Sequence, residues 1–196
     1  MRRIILASKS PRRKELLENI GLKFDVLVTD ADESIVSKNL APGEYVRELS
    51  AIKAKAAAEK IGFEDAFVIG ADTVVVSQSG EIIGKPADRE DAVNTLKQLS
   101  GKVHYVYTGI TVINTFRAKV ASDFEKTAVT FRELTDREIN YYVDNFSVLD
   151  KAGSYGIQEY ASIFVSKIEG DYFNIVGLPV CRLATMISEE YGEELI

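Results

Sequence analysis

Hydroxyl and guanidinium groups that could bind phosphate are concentrated near the start of the chain. Ser8, Ser10, Arg12 and Arg13 lie around Pro11, where a short apolar segment gives way to a helical pattern. Backbone N–H groups at the start of a helix attract phosphate, and arginine suits bidentate contact with phosphate oxygens. Since short motifs also match by chance, a capped helix with two solvated arginines is an equally good interpretation of this spacing.

Two acidic positions could supply a general base or a metal ligand. Asp72 follows Gly70 inside residues 66–76, the most apolar stretch of the chain, which it is expected to interrupt. An unpartnered carboxylate is costly to bury, and a glycine beside it suggests that a ligand approaches the backbone there. We therefore favour a functional Asp72 over one satisfied by backbone donors at a bulge. Asp32 and Glu33 could bind Mg²⁺, although a solvated acidic surface explains them better when they are taken alone.

Three lysines and a glutamine complete the set of candidate residues. Lys53 and Lys55 lie on a predicted helix, where lysines are usually only solvated, whereas Lys85 lies in a Gly-Lys-Pro turn from which it could enter a cleft. Residues 150–158 are too rich in glycine to be a simple helix or strand. Gln158 in this loop could recognise a base edge, because an amide both donates and accepts hydrogen bonds. Such a loop can equally be a structural turn.

The single histidine and the single cysteine argue against a mechanism that uses a nucleophilic side chain. His104 lies in an alternating strand pattern, with no serine or cysteine motif suited to a catalytic triad. Because Cys181 is the single cysteine, no intramolecular disulfide can form. We interpret Cys181 as a small core residue. A phosphate-cleaving enzyme without a nucleophile would use a metal, an activated water and cationic groups around the phosphates.

Charge and hydropathy limit the classes of partner. The 196 residues carry a formal net charge of −6, which disfavours direct nucleic-acid binding because clustered lysine and arginine dominate that affinity. No apolar stretch approaches the roughly 20 residues that a membrane-spanning helix needs. A few local basic groups can still attract a small anionic ligand, because a local field can outweigh the net charge. The sequence therefore predicts a cytoplasmic protein without a membrane partner. A homodimer is left open.

The apolar periodicity predicts an α/β fold that positions these side chains. Strands are predicted at residues 3–7, 23–29, 66–76, 103–114, 118–132, 162–168 and 172–176. Residues 103–132 should form a hairpin, and the last two strands should pair with each other. Helices are predicted after Ser10, over residues 43–61, after Asp88, from Thr135 to Phe146 and near the C-terminus, where Cys181 falls.

The same motifs, in the same order, resemble the signature of the Maf family over residues 4–179. They include Leu6–Leu17, Ile69–Thr73, Gly84–Pro86, Leu99–Gly101, Asp150–Gly153, Tyr155–Gln158, Gly170–Tyr172 and Val176–Pro179. The resemblance implies one domain over residues 1–196, with a fold shared with the inosine triphosphate pyrophosphatases. That fold is a long, twisted mixed β-sheet flanked by helices, with two lobes around a central cleft.

The resemblance also implies a reaction, namely hydrolysis of dTTP and UTP to the nucleoside monophosphate and pyrophosphate. Modified pyrimidine nucleotides are an open alternative as substrates. A divalent cation, Mg²⁺ or Mn²⁺, is implied as cofactor at Glu33 and Asp72, with Asp72 as proton acceptor. Positions implied in substrate binding and specificity are Ser8, Ser10, Arg12, Arg13, Lys53, Thr73, Lys85 and Gln158, of which Arg12, Thr73 and Gln158 select the base. The alternative function is a regulatory nucleotide-binding protein that inhibits septum formation with little turnover.

Overall fold

The apolar runs of the sequence form the strands of a mixed β-sheet. The computed structural model describes residues 2–62 and 64–195, and the sheet within them has seven strands. In chain order the strands are β1 (Arg3–Leu6), β2 (Asp25–Val26), β3 (Ala66–Val76), β4 (Ile82–Ile83), β5 (Val103–Asn114), β6 (Lys119–Phe131) and β7 (Val165–Glu169). The helices are α1 (Pro11–Asn19), α2 (Pro42–Ile61), α3 (Arg89–Leu99), α4 (Asp136–Asn145), α5 (Tyr172–Val176) and α6 (Val180–Tyr191).

The sheet has both parallel and antiparallel neighbours. Its strand order is β2-β1-β3-β5-β6-β7, and β4 pairs with β3 outside this path. Strand β1 runs parallel to β2 and β3, with Leu6 opposite Ile69, whereas β7 runs antiparallel to β6. The mixed sheet with its helices confirms the predicted fold class.

Local capping residues start the helices where the sequence predicts them. Pro11 occupies the beginning of α1, where its missing N–H leaves no hydrogen bond unmade. The Asp88 carboxylate accepts a hydrogen bond from the Asp91 N–H at 2.9 Å at the start of α3. Thr135 and Glu138 form the predicted capping box of α4.

Three predicted strand features are wrong. Strand β3 is continuous over Ala66–Val76, without the expected interruption around Asp72. Strand β2 is only Asp25–Val26, because it pairs with the last two residues of the short strand β1. Residues 172–176 form helix α5 rather than a strand, since the Asp171 carboxylate accepts a hydrogen bond from the Phe173 N–H at 2.7 Å and begins a helical turn.

The prediction for Cys181 is also wrong, because this residue is exposed. The buried face of α6 consists of Leu183, Met186, Ile187 and Tyr191. Cys181 lies two residues before Leu183, and at about 100° per residue that spacing turns its side chain away from the buried face. None of the helices in the described part of the chain is long and apolar enough to cross a membrane.

The chain forms two compact units. The first takes the described residues within 1–72, 108–125 and 177–196, and the second takes residues 73–107 and 126–176. One part of the core of the first unit is a cluster of small and branched side chains from β1, α2, β3 and β5: Ile5, Ala7, Ala54, Ala57, Ala66, Val68 and Ile113.

The core of the second unit is aromatic and contains the single histidine. His104 is fully buried, and its Nε2 lies 2.8 Å from the Tyr155 hydroxyl oxygen. The imidazole also makes an edge contact with Phe131, with 4.8 Å between ring centroids. Burial lowers the pKa of His104 to about 4, because a charged imidazolium would lose its hydration there.

This burial predicts a pH-dependent stability. In the unfolded chain His104 has its ordinary pKa of 6.5, so the unfolded state binds a proton below that pH while the folded state stays neutral down to about 4. Between pH 7.5 and pH 5 this difference should cost about 2 kcal/mol of the free energy of unfolding. Urea denaturation at both pH values should show that His104→Gln removes most of this loss. An unchanged pH dependence in the variant would contradict the assignment.

Candidate active site

Two glycines allow helix α2 to lie directly against the sheet in the first unit. A Cβ atom added to Gly70 on β3 would lie 2.3 Å from the Ser50 carbonyl oxygen, and one added to Gly109 on β5 would lie 2.1 Å from the Val46 carbonyl oxygen. Both distances are too short for any side chain. Gly70 therefore makes room for a helix, which corrects the prediction that a ligand approaches the backbone there.

This contact explains why Asp72 lies beside Lys53. Side chains two residues apart on a strand point to the same face, so Asp72 faces α2 as Gly70 does. Lys53 lies three residues after Ser50 on α2, which is about one helical turn. The Lys53 ammonium donates a hydrogen bond to the Asp72 carboxylate.

Lys53 also contacts a second carboxylate, so that one ammonium links two acidic groups. Its Nζ lies 3.0 Å from Oε1 of Glu33, which belongs to the 3₁₀ turn Glu33–Ile35. The Lys53 and Asp72 side chains are 19% and 14% exposed, whereas that of Glu33 is 55% exposed. The ion pair offsets the cost of burying Asp72 within an apolar strand, and it leaves the three-residue group with one net negative charge.

Arg13 is held by hydrogen bonds from its own guanidinium group. Its Nε donates to the Gly177 carbonyl oxygen at 2.7 Å, and its Nη1 donates to the Ser8 hydroxyl at 3.2 Å. Burial lowers the pKa of Arg13, while the Asp72 carboxylate opposes this shift. Arg12 lowers the pKa further and Glu33 raises it. Arg13, together with the Ser8 hydroxyl that it contacts, therefore lies within electrostatic reach of both carboxylates in the first unit.

The N-terminus of α1 lies in the same turn. Ser10 is the N-cap residue, as predicted, yet among the described residues no side chain accepts a capping hydrogen bond there. The Ser10 N–H instead donates to the Ser8 hydroxyl at 3.2 Å. The start of α1, with its helix dipole, thus lies beside Arg12 and Arg13, which is an arrangement suited to an anionic ligand.

The structure adds two residues that the sequence reasoning missed. Tyr45 on α2 is partly buried, and its pKa is raised by burial and then by the Asp72 and Glu33 carboxylates. It precedes Lys53 by eight residues, roughly two helical turns, and that spacing could have pointed to it. Gly177 holds Arg13 through its carbonyl group, and no sequence signal connects residues so far apart in the chain.

The second unit contains Thr73, Lys85 and Gln158. Lys85 and Gln158 are exposed, and Thr73 is partly buried on β3. The Gly153 N–H donates to the Gly84 carbonyl oxygen at 3.0 Å, so the turn that carries Lys85 is tied to the loop that carries Gln158. Lys55, the weaker lysine candidate, is exposed on α2 in the first unit.

Carboxylates that could bind a metal occur as a pair rather than as a larger cluster. In the part of the chain that the structure describes, no group of three histidine, cysteine or acidic side chains could hold an ion. Glu33 and Asp72 nevertheless converge on the single Lys53 ammonium, so their oxygens already face one cation. Such a pair fits Mg²⁺, which commonly takes one or two carboxylates together with waters and substrate phosphates.

Comparison with solved structures finds partial resemblance. The Ham1 protein of Staphylococcus aureus has a TM-score of 0.46 and 15% sequence identity, covering 66% of this chain and 71% of that chain. A HAM1 protein from Coxiella burnetii also has a TM-score of 0.46 and 15% identity, with 67% and 73% of the two chains covered.

Comparison with sequences finds relatives along nearly the whole chain. A dTTP/UTP pyrophosphatase of Thermoanaerobacter sp. (strain X514) is 48% identical, covering 99% of this chain and all of the relative. A dTTP/UTP pyrophosphatase of Caldanaerobacter subterraneus subsp. tengcongensis is 50% identical, covering 97% and 90% of the two chains. One of Bacillus anthracis is 48% identical and covers 96% of each. The model of the family described as Maf-like protein matches residues 3–190, and this chain therefore belongs to the Maf family.

Proposed function

We propose that this protein hydrolyses dTTP and UTP to the nucleoside monophosphate and pyrophosphate. The observation that carries the proposal is the group of Lys53, Asp72 and Glu33, with the pKa of nearby Arg13 responding to both carboxylates. A carboxylate that can accept a proton, next to cations that can bind phosphate, is what hydrolysis of a phosphoanhydride requires. The relatives named dTTP/UTP pyrophosphatase, at 48–50% identity over nearly the full length, support the choice of substrate.

The cationic groups would bind and neutralise the triphosphate. Arg13 is pre-oriented by Gly177 and Ser8, so little conformational entropy would be lost when it contacts a phosphate oxygen. The start of α1, with the positive end of its helix dipole, would also attract the phosphates. We assign Lys53 and Lys85 to the same role, because charge builds up on the departing pyrophosphate.

Asp72 would act as the general base in the chemical step. A water oxygen attacks the α phosphorus, the bond from that phosphorus to the oxygen bridging to the β phosphate breaks, and Asp72 takes the proton of the water. The electron pair of the broken bond leaves with pyrophosphate. Lys53, paired with Asp72 before substrate arrives, keeps this carboxylate in place on the face of the sheet that α2 covers.

Glu33 and Asp72 would hold a divalent cation together with phosphate oxygens of the substrate. Such an ion, when bound, supplies Lewis-acid polarisation of the phosphate and lowers the pKa of a coordinated water. We assign base selection to Gln158 with Arg12 and Thr73, and we treat the chain as one functional domain in the cytoplasm.

A nucleotide panel tests the proposal. Incubation with dTTP, UTP, CTP, ATP and GTP in the presence of Mg²⁺ or Mn²⁺ should release pyrophosphate and monophosphate, fastest from dTTP and UTP. Orthophosphate with a nucleoside diphosphate as the first products would contradict cleavage at the α phosphorus. Nucleotide binding without turnover would instead favour the regulatory alternative.

Substitution of each carboxylate in turn tests whether Asp72 or Glu33 is the general base. Asp72→Asn keeps the size of the side chain but cannot accept the proton, so we expect a folded protein that binds nucleotide and loses at least about 10²-fold in kcat. Glu33→Gln is the matched control, because it removes the other carboxylate that pairs with Lys53. Steady-state kinetics should show the larger kcat loss for Asp72→Asn. A near-normal rate for Asp72→Asn with loss of activity in Glu33→Gln would reverse the assignment.

Substitution of Gln158 tests the recognition of the base. Gln158→Ala should lower the ratio of kcat/KM for UTP to that for GTP by about 10-fold or more, because a polar base edge is left without its partner. The best kcat should change less than this ratio. Gln98→Ala, an exposed glutamine on α3, is the matched control and should leave the ratio unchanged. Equal efficiency of the unmodified protein on UTP and GTP would argue against the role.

A further inference from the structure

Gln158 lies at the exposed tip of a tight turn in the second unit. The Glu159 N–H donates to the Gly156 carbonyl oxygen at 3.1 Å, which closes a turn with Ile157 and Gln158 at its centre. Ile157 is buried and Gln158 is exposed. The side chain of Ile157 thus anchors the turn from inside, while the amide of Gln158 points towards solvent.

A buried ammonium lies beneath this turn. The Lys151 side chain is only 4% exposed, although lysine is rarely buried unless it is paired. Its Nζ donates to the Ser147 carbonyl oxygen and lies 3.1 Å from Oδ1 of Asp150 and 3.6 Å from Oε2 of Glu159. Lys151 therefore connects the segment before the loop to the last residue of the turn.

The apolar stem of Lys151 contacts the other end of the turn. A Cβ atom added to Gly156 would lie 2.8 Å from Cε and 3.2 Å from Cδ of Lys151, so the glycine backbone packs directly on the lysine stem. The Gly156 N–H donates to the Tyr142 hydroxyl at 3.1 Å. One side chain thus touches both Gly156 and Glu159, the two residues that close the turn around Gln158.

We propose that Lys151 is a positioning residue for base selectivity, because it holds the Gly156–Glu159 turn that presents Gln158. This inference rests on the proposed function, in which Gln158 recognises the base. An amide can rotate to offer either its oxygen or its nitrogen, so it distinguishes bases well only when its backbone is fixed. Selectivity would then depend on a lysine that does not touch the nucleotide.

Two carboxylates on the same ammonium provide a matched test. Glu159→Gln and Asp150→Asn each remove one negative charge facing Lys151 at similar exposure, 42% and 50%, yet only Glu159 belongs to the turn. Glu159→Gln should lower the UTP-to-GTP ratio of kcat/KM by about 10-fold, since small displacements of a positioning group have large effects on rate. Asp150→Asn should leave the ratio unchanged. Lys151→Met, which keeps the stem and removes the ammonium, should lower the ratio at least as much if it folds.

Amide hydrogen exchange, followed by NMR, measures how often the turn opens, and it does so independently of enzymatic activity. The N–H of residue 159, which donates within the turn, should have a lower protection factor in Glu159→Gln than in Asp150→Asn or the unmodified protein, the protection factor being the residue's intrinsic exchange rate divided by the measured rate. An unchanged protection factor in Glu159→Gln, or a lower one with unchanged selectivity, would overturn the proposal. If the unmodified protein hydrolyses neither dTTP nor UTP, the proposed function fails, and the exchange comparison still decides whether Lys151 fixes the turn.

Discussion

The backbone of helix α2 touches strands β3 and β5 where Gly70 and Gly109 leave no side chain in between. Close-packed backbone of this kind cannot be loosened by a change of rotamer, so it sets the height of the helix above the sheet. Hydrogen-bonded hydroxyls strengthen the contact between α2 and β5. The Ser50 Oγ lies 2.7 Å from the Thr111 Oγ1, which lies 2.8 Å from the Ser122 Oγ. The candidate active site of the first unit depends on the contact between α2 and the sheet, because it brings Lys53 to Asp72.

Charge balance within the first unit follows from that placement. Asp72 is mostly buried and would be costly without a partner, while Lys53 is shared between Asp72 and the more exposed Glu33. Arg13 is fixed separately, through Gly177 and Ser8, and its guanidinium responds to the same carboxylates. The cationic side chains and the carboxylates are thus preorganised side by side before any substrate binds.

Local signals in the sequence predicted much of the fold. Asp88 and the Thr135–Glu138 capping box mark helix starts because caps act within a few residues, and the long hairpin of β5 and β6 follows from its alternation. The mostly apolar residues 172–176 are predicted as a strand, yet the Asp171 carboxylate accepts a hydrogen bond from the Phe173 N–H and a short helix forms instead.

The geometry of the candidate site could not be predicted from local sequence signals, because it depends on contacts between residues that are distant in the chain. Motif resemblance singled out Asp72, Glu33 and Lys53, which the structure brings together in one ion-paired group. Nothing local shows that Gly70 accommodates a helix, or that the Gly177 carbonyl holds Arg13. Cys181 has an apolar setting in the sequence and is nevertheless exposed, because its position on the helix circumference decides its burial.

The first unit is assembled from three separate pieces of chain, and this has a consequence for how the protein is made. The ribosome synthesises Arg13, Lys53 and Asp72 early, but residues 108–125 and 177–196 of the same unit come later. Tyr191 closes the unit by donating from its hydroxyl to the Val112 carbonyl oxygen at 2.6 Å. Contacts of such high sequence separation slow folding, so the groups near the N-terminus gain their final orientation only after translation has almost finished. A nascent chain that stalls before Gly177 would carry Arg13 without the carbonyl group that orients it.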